Sequence, residues 1–263
     1  TNSNSTAPGR APFGESMCEM VEALKPKVVS FHFGLPDAAL LQRVSATGAV
    51  VISSATTVAE ARWLEEHGCD AIIAQGAEGG GHRGIFLSND IDKDIASQPG
   101  TFSLLPQVVD AVSVPVIAAG GIADGRGIAA AFALGAAGVQ VGTAYLFTPE
   151  STISDLHRTA LKSARDDQTA MTNLFSGRPA RSLINRVMRE IGPMSQKVPA
   201  FPTAGGALAP LKANAEANNS SDFSSLWSGQ SAALGLELGT KDLTLKLAED
   251  ALQQLRKLAP DPS

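Results

Sequence analysis

Tyrosine occurs once, tryptophan twice and cysteine twice in this 263-residue chain. Scarce aromatics beside abundant glycine and alanine favour close helix-on-strand packing over an aromatic binding surface. Cys18 and Cys69 have no second cysteine or histidine at metal-ligand spacing, which excludes a zinc site and predicts two reduced thiols, with no metal, in a cytoplasmic setting. No apolar run reaches the roughly 18 to 20 residues of a membrane span, and no basic-then-apolar leader opens the sequence. Membrane insertion and secretion are therefore not expected. With 21 Lys+Arg against 26 Asp+Glu, the net charge of −5 provides no basic footprint for nucleic acid.

What is present is a core-forming composition, 44% hydrophobic, arranged as a repeat. Five short runs read as buried parallel strands: Val28 to Phe33, Ala49 to Ser53, Ala71 to Ala74, Val116 to Ala119 and Gly138 to Val141. Their starts lie 21, 22, 45 and 22 residues apart, a βα unit of one size with one interval doubled by the polar segment Gly84 to Gly100. Helix signals fill the gaps: a Thr57–Glu60 capping box ending at Gly68, an Asp124 cap ahead of Ala129 to Gly135, and a stop at Gly48 after Leu40 and Leu41. This is the grammar of an α/β barrel, whose domains commonly take about 250 residues.

The grammar stops after Phe147. Residues 148 to 263 predict helices at Leu156 to Ala164, Ser182 to Glu190, Leu211 to Ala217 and Leu243 to Leu258, with no strands to extend the barrel. The expected organisation is a disordered start (1–12), a barrel portion of five βα units (13–147), a helical substrate-domain segment (148–222) and a C-terminal helical segment returning to the barrel (223–263). Five units fill the 120 residues from Val28 to Phe147, and only 27 residues precede them, so the barrel is expected to be incomplete in this chain.

Three places carry chemistry. The segment Gln75 to Gly84 (QGAEGGGHRG) follows the third strand, and its glycines permit close backbone approach to a ligand and present His82 at the C-terminal end of the sheet. An ordinary imidazole pKa near 6.5 suits proton transfer near neutrality; a solvated loop histidine is the competing reading. Gly120-Gly121 and Gly138 to Thr143 place glycine after two consecutive strands, where barrels offer backbone N–H groups to phosphate without Lys or Arg; tight turns alone would also use glycine there. His32, in FHFGLP, lies two units before His82 and could share its mouth, or be a hydrogen-bonded core residue. His67, at a helix end, and His157, on a predicted surface helix, read as structural.

Together the run Val28 to Pro36, QGAEGGGHRG, AAGGIADGRG and QVGT resemble class I nitronate monooxygenase, formerly 2-nitropropane dioxygenase. The similarity extends through FSGRPA (Phe175 to Ala180) and LWSGQ (Leu226 to Gln230), covering nearly all the chain from Phe13. The resemblance implies an FMN-binding TIM (β/α)8 barrel with an additional small helical domain, oxidising alkyl nitronates such as propionate 3-nitronate with O2 to a carbonyl compound and nitrite, without metal. It implies flavin contacts at Gln75, Gly80, Gly120, Gly121, Gln140, Val141, Gly142 and Thr143, with FMN bound non-covalently. His82 would be the catalytic base, and His32 would line the substrate pocket. The partner is a small-molecule nitronate or nitroalkane, with a homodimer as the compatible assembly. The family's pattern begins with three further βα units that have no counterpart here. Two other readings are an FMN-dependent enoyl-acyl-carrier-protein reductase-like enzyme, and a non-catalytic remnant.

Overall fold

In the computed structural model, residues 12–258 are described; the expected disordered start lies, but for Pro12, outside them. Five parallel strands, β1 (Val28–Phe31), β2 (Val50–Ala55), β3 (Ala71–Gln75), β5 (Val116–Ala119) and β6 (Gly138–Gln140), form one sheet in that order. Each predicted run is therefore a strand. The register pairs Val29 with Val51, Ala55 with Ala74, Ala74 with Ala118 and Ala119 with Gln140, so the strand ends line up along one rim. Burial on both faces holds for β3, where Ile72 and Ile73 are sealed, but not for β1 and β6, whose Val28 and Gln140 are exposed because an edge strand lacks one neighbour.

Helices α2 (Ala38–Ala46), α3 (Val58–Glu66), α5 (Thr101–Val109) and α6 (Gly125–Ala133) connect the strands, and α1 (Glu15–Leu24) packs on α2. They bury Val44, Leu64, Leu104, Leu105 and Val108 against Val51, Ile72 and Ala118, each large side chain contributing about 2 kcal/mol on leaving water. The doubled interval holds the short helix α4 (Ile91–Asp94), a 3₁₀ turn, and then α5. Asp124 caps α6 as predicted, accepting from Arg126 N and Gly127 N. The capping box is only half formed: Thr57 accepts from Glu60 N, but the Glu60 carboxylate turns inward, as described below. This fold is α/β of the TIM-barrel type.

The expectation of a purely helical second part is corrected. Strands β7 (Thr169–Thr172) and β8 (Ala180–Leu183) pair antiparallel, and β8 also pairs with β4 (Gly81–His82), giving a second, three-stranded sheet. Ser182 thus sits in a strand, and the helix predicted from it begins only at Arg186 (α8, Arg186–Ile191). These strands are short and take their partner from a glycine loop over 90 residues away, which leaves no periodic signal to read. Helices α7 (Asp155–Lys162) and α9 (Gly205–Ala217) flank this sheet's segment of chain. Helix α10 (Thr240–Leu258) returns to pack on α6 so closely that a Cβ on Gly125 would lie 2.5 Å from Ala251 N.

Both cysteines are buried free thiols, as expected. Burial pushes the Cys69 thiol up to about 12, so it should resist alkylation at pH 8 in the native state and react at once in urea, as a thiol-reactive dye would report. A thiol held up in the folded state and ordinary in the unfolded chain also makes stability fall as the pH rises from about 9 towards 12. Among the described residues, no helix is long and apolar enough to cross a membrane, and no cluster of His, Cys, Asp or Glu could hold a metal.

Candidate active site

The C-terminal rim of the parallel sheet is lined by glycine. Gly120 (φ 103°) and Gly121 (φ 72°) follow β5 in the left-handed region, and a Cβ on Gly120 would meet Gly76 O at 2.9 Å. They border a narrow cleft of about 100 Å³ formed by Gln75, Gly79, Gly80, Ala119 to Ala123, Gln140, Gly142, Thr143, Gly229 and Ser231. Seven residues predicted as cofactor contacts, Gln75, Gly80, Gly120, Gly121, Gln140, Gly142 and Thr143, therefore meet in one place. Val141 does not: it lines an apolar groove between α6 and α10, beside Phe132 and Leu247, because successive strand residues face opposite sides.

Among the described residues, no Lys or Arg lines the cleft. Among the described residues the backbone N–H groups of Gly121, Ile122, Ala123 and Gly142 have no acceptor, so the cleft offers a phosphate a set of convergent dipoles in place of a side-chain cation. The opposite wall comes from far along the chain. Gly229 N donates to Thr143 Oγ1 (2.9 Å), Gln230 N to Glu78 O (3.0 Å) and Ser231 Oγ to Gly121 O (2.7 Å). Gly80 faces Gly229 so tightly that a Cβ would stand 2.5 Å from Gly229 N. Glu78 is spent locally, its carboxylate accepting from Thr101 N and Thr101 Oγ1 at the start of α5.

The His82 backbone ties a wall residue of this cleft to a wall residue of a second cavity. Its carbonyl accepts from Gln75 Nε2 (3.0 Å), on the cleft floor, and from His32 Nε2 (3.3 Å), in the wall of the second cavity. The Gln75 amide is thereby occupied: its Oε1 also accepts from Gly84 N (2.9 Å), so it orients the loop that carries His82. The reading of His82 as a solvated loop residue is corrected, since β4 pairs it with Ala180. Its ring lies among Trp227 (5.3 Å), Phe201 (5.9 Å) and Phe33 (6.0 Å), and its Nε2 is 2.7 Å from Ser176 Oγ. Ser176 has one hydroxyl hydrogen for two takers, His82 Nε2 and Arg178 O (3.1 Å). When that hydrogen goes to Arg178 O, the hydroxyl accepts from the imidazole and holds its proton on Nε2.

Below this ring the backbone is strained. Phe33 adopts φ 67°, rare for a bulky residue, and is held there by the Arg178 guanidinium 4.2 Å above its ring and by His32 at 4.4 Å. The loop beneath is anchored by two sealed charges. Arg83 donates to Gly76 O, Gln75 O and Gln98 Oε1, and burial brings its pKa down to about 10. Glu60 accepts four hydrogen bonds, from Thr56 N, Thr56 Oγ1, Phe86 N and Leu87 N.

His32 opens to the second cavity, yet crowding of its ring holds its pKa below the usual imidazole value, assisted by the charge on Arg178 and opposed by the bond to His82 O. His157 is not on the surface as predicted: it is buried, with Nε2 3.0 Å from Trp227 O, and burial lowers its pKa also. Both imidazoles protonate more readily in the unfolded chain, so stability should drop as the pH falls below about 6.5. Urea midpoints at pH 7.5 and 5.5, with imidazole titrations followed by NMR, would check this. His67 stacks on Trp63 (3.9 Å) at the end of α3, in the structural place expected.

Ser176, Arg178, Phe201, Trp227, Gly229 and Ser231 were given no role from sequence. Most of them lie in FSGRPA and LWSGQ, segments that carried the resemblance but whose distance along the chain hid their meeting at His82 and Gly80.

A family model described as nitronate monooxygenase matches residues 11–250. The chain is similar to the nitronate monooxygenase of Pseudomonas aeruginosa, 43% identical over 86% of this chain and 64% of the relative. It is also similar to a probable nitronate monooxygenase of Staphylococcus aureus, 42% identical over 79% of this chain and 58% of the relative. It thus spans about three fifths of the length of the curated relatives it matches. Among solved structures it resembles nitroalkane oxidase from Streptomyces ansochromogenes (TM-score 0.85, 38% identity, 93% of this chain and 69% of that one). FabK from Thermotoga maritima is a further neighbour (TM-score 0.77, 32% identity, 95% and 75%).

Proposed function

Since the chain belongs to the nitronate monooxygenase family, we propose that it carries out, with FMN, the oxidation of alkyl nitronates such as propionate 3-nitronate by O2 to a carbonyl compound and nitrite. The observation that carries this reading is a glycine-lined cleft with unpartnered backbone N–H groups whose wall residue Gln75 bonds the carbonyl of His82, the histidine whose ring is walled by Phe33, Phe201 and Trp227. FMN fits the cleft. The N–H groups of Gly121, Ile122, Ala123 and Gly142, with Thr143, would hold its phosphate, and Gln75 and Gly80 would border the ring and ribityl chain. When bound, the flavin supplies the electron acceptor for the nitronate and the electron donor to O2.

The chain's own side chains do the rest. His82 removes the proton from a neutral nitroalkane or hydrogen-bonds the anionic nitronate, Ser176 keeps its ring oriented, and Phe33, Phe201 and Trp227 keep water from the reacting carbon. A purified chain with flavin absorbance that releases nitrite from propionate 3-nitronate would support this reading. A colourless chain that FMN does not stabilise would overturn it. Oxidation of NADH by an enoyl thioester, with propionate 3-nitronate untouched, would instead select the reductase reading.

A further inference from the structure

The hydroxyl of Ser176 reaches His82 from 94 positions along the chain, and backbone pairing puts it there. Strand β8 pairs Ala180 with His82, Arg83 N donates to Pro179 O (2.9 Å), and the turn between β7 and β8 closes through Gly177 N on Asn173 O (2.8 Å). Gly177 (φ 89°) sits in that turn so closely packed that a Cβ would lie 2.5 Å from Phe201 N. Ser176 is buried, and its oxygen accepts from Arg178 N (3.3 Å) while its single hydrogen is offered to Arg178 O (3.1 Å) or to His82 Nε2 (2.7 Å). The two choices are not equal. With the hydrogen on Arg178 O, the second lone pair accepts from a proton on His82 Nε2, and all three contacts are hydrogen bonds. With the hydrogen on His82 Nε2, Arg178 O loses that donor, which costs free energy inside a buried turn.

We propose that Ser176 is a positioning residue for proton abstraction: it fixes His82 in the tautomer with the proton on Nε2 and keeps the same bond when the ring becomes an imidazolium. The inference rests on the nitronate-oxidising reading for the reaction that follows. A neutral imidazole protonated on Nε2 carries its lone pair on Nδ1. Nδ1 therefore takes the proton from the carbon beside the nitro group, and the C–H electron pair stays on the substrate as the nitronate. The Nε2–H bond to Ser176 then becomes charge-assisted, and the hydroxyl need not rotate between the two states. The titratable and charged groups on the surrounding elements have partners of their own. His32 holds His82 O, Arg83 bonds Gly76 O, Arg178 bonds Ile85 O and Arg181 bonds Ala77 O, while Glu78 and Asp92 take Thr101 and Asn173. Guanidinium groups offer an imidazolium no acceptor; the Ser176 oxygen does.

The test combines imidazole NMR with pH-dependent kinetics on the flavin-loaded full chain. Nitrogen-15 labelling of histidine, with the His82 signals assigned by their absence from His82→Phe, reports which ring nitrogen carries the proton. The neutral wild-type ring is expected to be protonated on Nε2, and Ser176→Ala to show both tautomers. In kcat/KM for nitroethane, Ser176→Ala should move the acidic limb to lower pH by about one unit, because the imidazolium loses a charge-assisted acceptor, and lower the plateau about tenfold. A merely structural role would lower the plateau and leave the limb in place. Ser176→Thr, which keeps the hydroxyl, should restore both the limb and the tautomer. A wild-type ring protonated on Nδ1, or a limb and tautomer that survive Ser176→Ala, would each overturn the assignment. Should the Ala variant lose its flavin, the wild-type tautomer and the Thr variant decide. Because the NMR signal requires no turnover, an inactive chain whose tautomer depends on Ser176 keeps the positioning role and overturns only the reaction.

Discussion

Replacing His82 with phenylalanine should lower turnover of a neutral nitroalkane by about 10² to 10⁴-fold, the range for loss of a positioned general base. Turnover of a preformed nitronate, which has no proton to lose, should fall much less. The ring fits the substitution, since the site is already walled by Phe33, Phe201 and Trp227 at centroid distances of 5.3 to 6.0 Å. What is lost is the imidazole nitrogen at 2.7 Å from Ser176 Oγ. The His82 carbonyl, which ties Gln75 to His32, is backbone and remains, so flavin binding should persist. Nitrite release from nitroethane and from ethylnitronate, measured side by side with the flavin spectrum, checks this. Unchanged nitroethane turnover would remove the base role from His82.

Glu60→Ala should cost roughly 3 to 5 kcal/mol of folding stability, as breaking a buried, fully bonded charge does. Its carboxylate is sealed from water and takes the N–H groups of Thr56, Phe86 and Leu87 and the Thr56 hydroxyl, so truncation leaves four donors stranded among apolar neighbours. The damage should reach the site. The released segment contains Gly84, packed against His32, and Ile85, whose carbonyl holds Arg178. Glu60→Gln keeps one acceptor oxygen and should lose about half as much. Urea midpoints give the stabilities, and a loss under about 1 kcal/mol would mean that water replaces the carboxylate.

The βα portion was legible because its signals are local. An apolar run, a glycine stop and a capping Asp124 each act within a few residues, and repetition near 22 residues made five strands readable. The glycine rim was legible for the same reason, since Gly120, Gly121 and Gly142 follow their strands directly. Val141, next in line, was misplaced because alternation along the strand turns it to the other face. His157 was misread as exposed because its helix is strongly charged, and only the carbonyl of Trp227, 70 residues on, shows that it is buried.

The parallel strands, the anion-ready turns and the presence of His82 beyond β3 were determined by the amino-acid sequence alone, through periodicity and short-range backbone chemistry. Tertiary structure decided what surrounds His82: the β4–β8 pairing, the Ser176 hydroxyl at its Nε2, the Gly229 wall against Gly80, and the guanidinium of Arg178 over a strained Phe33. Each of those contacts joins residues 94 to 149 positions apart. No local preference encodes such a meeting; it is fixed only when the chain packs both sheets around one histidine.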